Sequence, residues 1–265
     1  MTGRRRPLVV TGLVLALAWP AAAPALEYQS TGRGTPRPAY PGDRGVALAA
    51  RFLAGRAGAT AFAVVDDKGR LHGVRVHRRF NSASVVKAML LVAYLERLAA
   101  QHRGLDPASR GLLYPMIHVS DNAAASAVFA IVGDAGLEQV ARQVGMTDFA
   151  ASGWWGFTQI SAADQARFFY VQDRLIAPQF DPYARGLLSG ISGDQSWGIP
   201  AAARPRFRVF FKGGWLPSQG LVNQAARLEG PGATFALAVL STAGPSMAYG
   251  EQTIEGVARA VLRTS

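Results

Sequence analysis

The chain reads as an α+β protein, and three observations lead there. Helical and strand-like runs come in blocks: one helix, two strands, many helices, three strands, one helix. A doubly wound sheet would instead alternate strand and helix, so blocks argue for segregated layers. The last three strand-like runs are joined by short connections, which pair neighbours antiparallel. With 49% apolar and 17% charged residues over 265 positions, the chain can fill the core of one large domain or two intimate subdomains.

The elements follow in order. Arg4-Arg5-Arg6, an apolar stretch over 8–19 and the small residues Ala23-Pro24-Ala25 read as an export signal over 1–25. A short membrane anchor is the alternative, but a span needs about 18 apolar residues. The paired arginines before Pro7-Leu8 suggest the twin-arginine route. Residues 26–43, carrying Gly, Pro, Ser, Thr and Arg, read as a flexible tether, which leaves 44–265 as the folded domain. Val46, Leu48, Ala49, Phe52 and Leu53 share one helical face. Strands at 60–65 and 71–76 flank Asp66-Asp67-Lys68-Gly69, a hairpin turn. A strongly apolar, central helix is expected over 84–99. Asp106 caps another, with Pro107 at its first position. Helices at 123–132 and 134–144 follow, then one introduced by Ser161 and Asp164 in the manner of a capping box. A further helix at 182–188 precedes strands at 207–212, 221–228 and 234–241 and a last helix at 250–262.

Composition narrows the chemistry. No cysteine is present, which excludes disulfides, thiolate metal sites and a Cys nucleophile. His72, His77, His102 and His118 show no metal spacing, so neither metal nor cofactor is expected. Without the three leader arginines the chain has 25 basic and 17 acidic side chains, a net +8. Such a balance permits loose association with an anionic cell wall. No run of five basic residues occurs, so nucleic acid is not an expected partner.

Three motifs carry the candidate chemistry. In Ser84-Val85-Val86-Lys87 the serine and lysine stand at i and i+3, on one helical face. A serine hydroxyl needs a base, and a lysine serves if burial and nearby cations such as Lys212 lower its pKa. Ser120-Asp121-Asn122 precedes an alanine run that Ser120 or Asp121 could cap. Ser120 could also relay a proton to a leaving group, and Asn122 could bind a substrate amide. Lys212-Gly213-Gly214 closes an apolar run, where a strand edge can pair with an extended substrate. There Lys212 would attract a carboxylate, and the N–H of Trp215 would complete an oxyanion hole with that of Ser84.

Together these resemble S-x-x-K, S-D-N and K-T-G, the signature of the penicillin-recognising serine enzymes, and of class A β-lactamases in particular. Arg79-Phe80 and Lys87-Ala88-Met89-Leu90-Leu91, Val132-Gly133-Asp134-Ala135-Gly136 through Val144-Gly145-Met146-Thr147, and Ser241-Thr242-Ala243-Gly244 extend the likeness over about 44–264. The resemblance implies a five-stranded antiparallel sheet flanked by helices, a β-lactamase/D,D-peptidase-like fold, beside an all-helical subdomain, with the site in the cleft between them. It assigns Ser84, Lys87 and Ser120 as catalytic and Asn122, Lys212, Gly213, Gly214 and Trp215 as substrate-binding. Three departures stand out. The stretch between Lys87 and Ser120 is short, so the helical subdomain is reduced. Residues 149–160, where the family's deacylating Glu should lie, hold no carboxylate, and Asp148 just before them is the one nearby candidate. Gly213 replaces a hydroxyl residue that usually helps bind a substrate carboxylate, and no Arg stands at Gln219-Gly220.

The leading expectation is an exported, monomeric serine hydrolase, periplasmic or cell-wall associated. It would form an acyl-enzyme at Ser84 with a β-lactam or related amide and deacylate slowly. The alternatives are a D,D-peptidase-like enzyme acting on peptidoglycan-like peptides, and a non-catalytic penicillin-binding or wall-sensing module. Gln195-Ser196-Trp197-Gly198-Ile199-Pro200 is a conspicuous loop before the third strand, readable only as a turn that could border the cleft.

Overall fold

A computed structural model of the chain describes residues 39–263. The expected signal and most of the expected tether lie outside them. In chain order the elements are α1 (Asp43–Ala54), β1 (Ala59–Val65), β2 (Leu71–Val74), β3 (Arg79–Asn81), α2 (Lys87–Ala100), α3 (Pro107–His118) and α4 (Asn122–Val144). There follow β4 (Gln159–Ser161), α5 (Ala162–Leu175), α6 (Asp181–Ser189), α7 (Ile199–Ala203), β5 (Arg208–Leu216), β6 (Leu221–Gly230), β7 (Ala233–Thr242) and α8 (Met247–Val261).

The main sheet has five strands in the order β2-β1-β7-β6-β5, every pair antiparallel. The order follows from two hairpins and one return: β1 turns into β2 through Asp66, whose Oδ1 accepts the backbone N–H groups of Lys68 and Arg70. The β5-β6-β7 meander then docks β7 on the far side of β1. Residues 60–65 of β1 and 235–241 of β7 are continuously buried, the pattern of strands covered on both faces. Helices α1, α7 and α8 form one covering layer, and α5 with α6 the other. Helices α2, α3 and α4 pack on one another as the helical subdomain. Its core is α2, in which Ala88 to Leu91 are wholly buried.

Several expectations are refined by the backbone. The helix expected over 84–99 opens with a 3-10 turn, Ala83–Val86, and becomes α-helical at Lys87. The two helices expected over 123–144 are one element broken at Gly133, whose φ of 62° no helix accommodates. Ser161 caps α5 by accepting the N–H of Asp164, but the Asp164 carboxylate turns outward to the N–H groups of Thr147 and Asp148, so the capping box is half made. Strand β5 does not end at Lys212: it runs on through Gly213, Gly214 and Trp215 to Leu216. Glycines pair in a ladder as other residues do, and only their lack of a side chain made them read as a turn. Within the segment read as a tether, Tyr40 stacks on Phe207, meets Phe235 edge-on and donates its N–H to Asp67.

Candidate active site

The site forms where the 3-10 turn before α2, the turn before α4 and strand β5 converge. Ser84 sits on the 3-10 turn, where side chains three apart eclipse, so Ser84 and Lys87 project together. The backbone enters this turn through Ala83 at φ 45°, a left-handed conformation unusual for alanine. Ser120 also has a positive φ, 60°, and the next residue, Asp121, caps α4 by accepting the N–H of Ala124 at 2.7 Å. The cap expected of Ser120 or Asp121 is thus made by Asp121, which leaves the Ser120 hydroxyl for the cleft.

Two fully buried lysines meet at that hydroxyl. Lys87 Nζ donates to Asn122 Oδ1 at 2.8 Å, to the carbonyls of Ser120 and Asp121, and weakly to Ser120 Oγ at 3.3 Å. Lys212 Nζ reaches the same Oγ at 3.0 Å and its neighbour's carbonyl, Gly213 O, at 3.0 Å. A hydroxyl has two acceptor positions and one O–H. With both acceptor positions facing ammonium groups, the Ser120 O–H is free to donate into the cleft. Asn122, holding Lys87 through its carbonyl oxygen, likewise keeps its amide N–H₂ for a substrate.

Burial pulls the Lys87 ammonium down to about 7, against the opposing pull of the Asp121 carboxylate. Lys212 is pushed well down too, first by burial and then by the charge of Lys87. The lowering of Lys87 thus comes from desolvation and not, as expected, from Lys212; the charge effect of the pair falls on Lys212. The indole of Trp155 lies 4.7 Å from Lys87 Nζ and covers it. No hydrogen bond joins Ser84 to Lys87 among the described residues.

A cleft of about 270 Å³ opens over Ser84. Ser84, Ser120, Asn122 and Trp215 line it; Lys87, Lys212, Gly213 and Gly214 stand directly behind. Gly214 is there for closeness: a Cβ on it would lie 2.6 Å from Ser84 N and 2.7 Å from Val85 N. Only glycine lets β5 press on the turn that carries Ser84. Gly213 meets a different neighbour, the indole of Trp197, 3.2 Å from where its Cβ would be. Trp197 belongs to the conspicuous loop, which borders β5. Buried Gln224 pins that loop by donating to Trp197 O and accepting from Ile199 N.

Within 149–160, Trp154, Trp155 and Phe157 line the cleft as an aromatic wall. No carboxylate is among the lining residues. Asp148 is engaged elsewhere, its carboxylate 2.8 Å from His77 Nδ1. His118 stacks on Tyr114 and faces Gly190 O, away from proton transfer. Trp197 and Gln224 were not foreseen; the missing side chain at Gly213 was the available signal, since the volume it vacates must be filled.

Such an arrangement can activate a serine, receive its proton on a near-neutral amine and pass one on through a hydroxyl. A comparison with curated protein sequences finds no match. Among solved structures, the chain superposes on a β-lactamase from Sphaerobacter thermophilus with TM-score 0.73 at 23% identity, covering 82% of this chain and 95% of that one. An ancestral class A β-lactamase gives 0.73 at 21%, with 82% and 98% covered. A β-lactamase from Xanthomonas campestris gives 0.72 at 19%, with 81% and 95% covered. These likenesses establish the class A β-lactamase fold. Residues 101–265, which include Ser120 and Lys212 but begin beyond Ser84, match the Beta-lactamase enzyme family, and with that match over more than half its length the chain belongs to this family.

Proposed function

We propose that the chain is an exported, monomeric serine hydrolase that forms an acyl-enzyme at Ser84 with a β-lactam or related amide. The observation that carries this reading is the meeting of two buried lysines at Ser120 Oγ behind a cleft floored by Ser84. Neutral Lys87 takes the Ser84 proton as Oγ bonds to the carbonyl carbon. The C–N bond then breaks, and the departing nitrogen receives a proton through Ser120. Asn122 and the edge of β5 orient the substrate, and the N–H groups of Ser84 and Trp215 face the developing oxyanion.

Deacylation is the slow step in this reading. General-base assistance is worth about 10²–10⁴-fold, and no carboxylate lines the cleft to supply it to water. The same observation favours a D,D-peptidase-like second reading, in which the lysines and Ser120 serve both half-reactions. Intact-mass spectrometry of the full chain with benzylpenicillin, followed over minutes to hours beside Ser84→Ala, tests both. A long-lived adduct absent from the variant is expected. Rapid release with β-lactam consumption would indicate an efficient β-lactamase, and no Ser84-dependent adduct with any β-lactam would remove the lead reading.

A further inference from the structure

The walls of the cleft restrict what it can take. No Lys, Arg or His side chain is among its lining residues. The two lysines behind it are wholly buried, and their ammonium groups are committed to Ser120, Asn122 and backbone carbonyls. Beside Lys212, the space over Gly213 is filled by the Trp197 indole rather than by a polar group. An anionic substrate group entering here would lose water and find no exposed cation to pair with, which is costly: Lys212, expected to attract a carboxylate, is sealed behind Ser120 and Gly213.

Apolar surface is gathered at the same place. Of five exposed large hydrophobic side chains among the described residues, three line this cleft: Val119 at 52%, Trp154 at 47% and Phe157 at 47% exposure. Contiguous exposed apolar surface on a folded chain marks a binding site. Trp215 adds a further aromatic face, braced edge-on by Trp197 at 6.2 Å.

We infer that the acyl donor of this site is an uncharged amide or ester whose acyl part is flat and apolar, seated among Trp154, Phe157 and Trp215. The inference rests on the reading of Ser84 as nucleophile and deepens it. In the reaction, Ser84 Oγ bonds to the acyl carbon as the C–N or C–O bond breaks, and the hydroxyl proton leaves with the amine or alcohol. Water then adds to the acyl-serine, releasing a carboxylic acid and restoring the Ser84 hydroxyl.

A matched pair tests it on the full chain: benzylpenicillin and its methyl ester, compared by the rate of Ser84 adduct formation. The expected result is that the neutral ester acylates at least about tenfold faster, the scale of one mismatched contact in an apolar site. A free acid that reacts as fast or faster overturns the inference while leaving the Ser84 reading intact. Should neither penicillin react, 4-nitrophenyl phenylacetate and its 4-carboxy analogue are compared in the same way, and equal rates again overturn it. No Ser84-dependent reaction with any of the four removes the underlying reading and the inference with it. Phe157→Ala is expected to lower kcat/KM for 4-nitrophenyl phenylacetate about tenfold and for 4-nitrophenyl acetate less than about threefold. Equal losses on both esters would exclude the aromatic subsite.

Discussion

Four acceptor oxygens surround the Lys87 ammonium, and burial still brings it down to about 7. On the proposed reading the base form is the neutral amine, so acylation should be slow below that pH and rise through it, with one ascending limb near 7 in the rate of adduct formation. Lys87→Met should lower that rate by about 10²–10⁴-fold and cost about 1–3 kcal/mol of stability, since it leaves Ser120 O, Asp121 O and Asn122 Oδ1 without their donor; a melting curve shows that the variant is folded when the rate is read. Asp121 allows a finer test, because its carboxylate raises the Lys87 value while its Oδ1 caps α4. Asp121→Asn keeps the cap and removes the charge, so the limb should move to lower pH with the melting temperature little changed. A limb that stays in place would dissociate Lys87 from the profile. At Gly214, alanine would put a methyl 2.6 Å from Ser84 N. The expected cost is about 1–3 kcal/mol of stability, seen in chemical denaturation, together with loss of Ser84 acylation.

Elements were legible where their pattern was long. The 84–99 run, both hairpin strands, the three C-terminal strands and the Asp106 and Ser161 caps could be read because periodicity or a capping residue marks each one locally. Strands β3 and β4 escaped because three residues are too few to show alternation, and they exist through each other: Arg79 pairs with Ser161 and Asn81 with Gln159. Helix α7 spans five residues and is held from outside, by Gln224 through Ile199 N. The same clamp fixes Trp197. Gln224→Leu should therefore cost about 1–3 kcal/mol, the scale of buried polar groups left unpaired, and should broaden the environment of Trp197 in tryptophan fluorescence. The site was legible as far as motifs reach. Ser84, Ser120 and Asn122 fall on the cleft as their spacing implies, whereas the roles of Gly213 and Gly214 became clear only once Trp197 and the nucleophile turn were seen against them.

Across the whole molecule, the helical subdomain supplies Ser84, Lys87, Ser120 and Asn122, while the sheet supplies Lys212 and Trp215. The bond from Lys212 Nζ to Ser120 Oγ ties the two parts directly. An acyl group on Ser84 lies against both, so acylation should raise the melting temperature of the full chain and leave Ser84→Ala unaffected, as differential scanning fluorimetry can show. The overall α+β plan could be read from block order, because layers follow from which elements adjoin in sequence. How closely the sheet meets the helices could not, since that depends on contacts between residues far apart in the chain. One consequence concerns solubility. Strand β5 stands last in the sheet order, yet Val209 to Gly214 are buried, under α6, the Ser84 turn and the Trp197 loop. An uncovered end strand is a template on which a second molecule's strand can grow, so the parts that surround the cleft also guard the sheet's margin. Loosening that cover, as Gly214→Ala should, is expected to bring turbidity on earlier in a warmed, concentrated solution than in the unaltered chain.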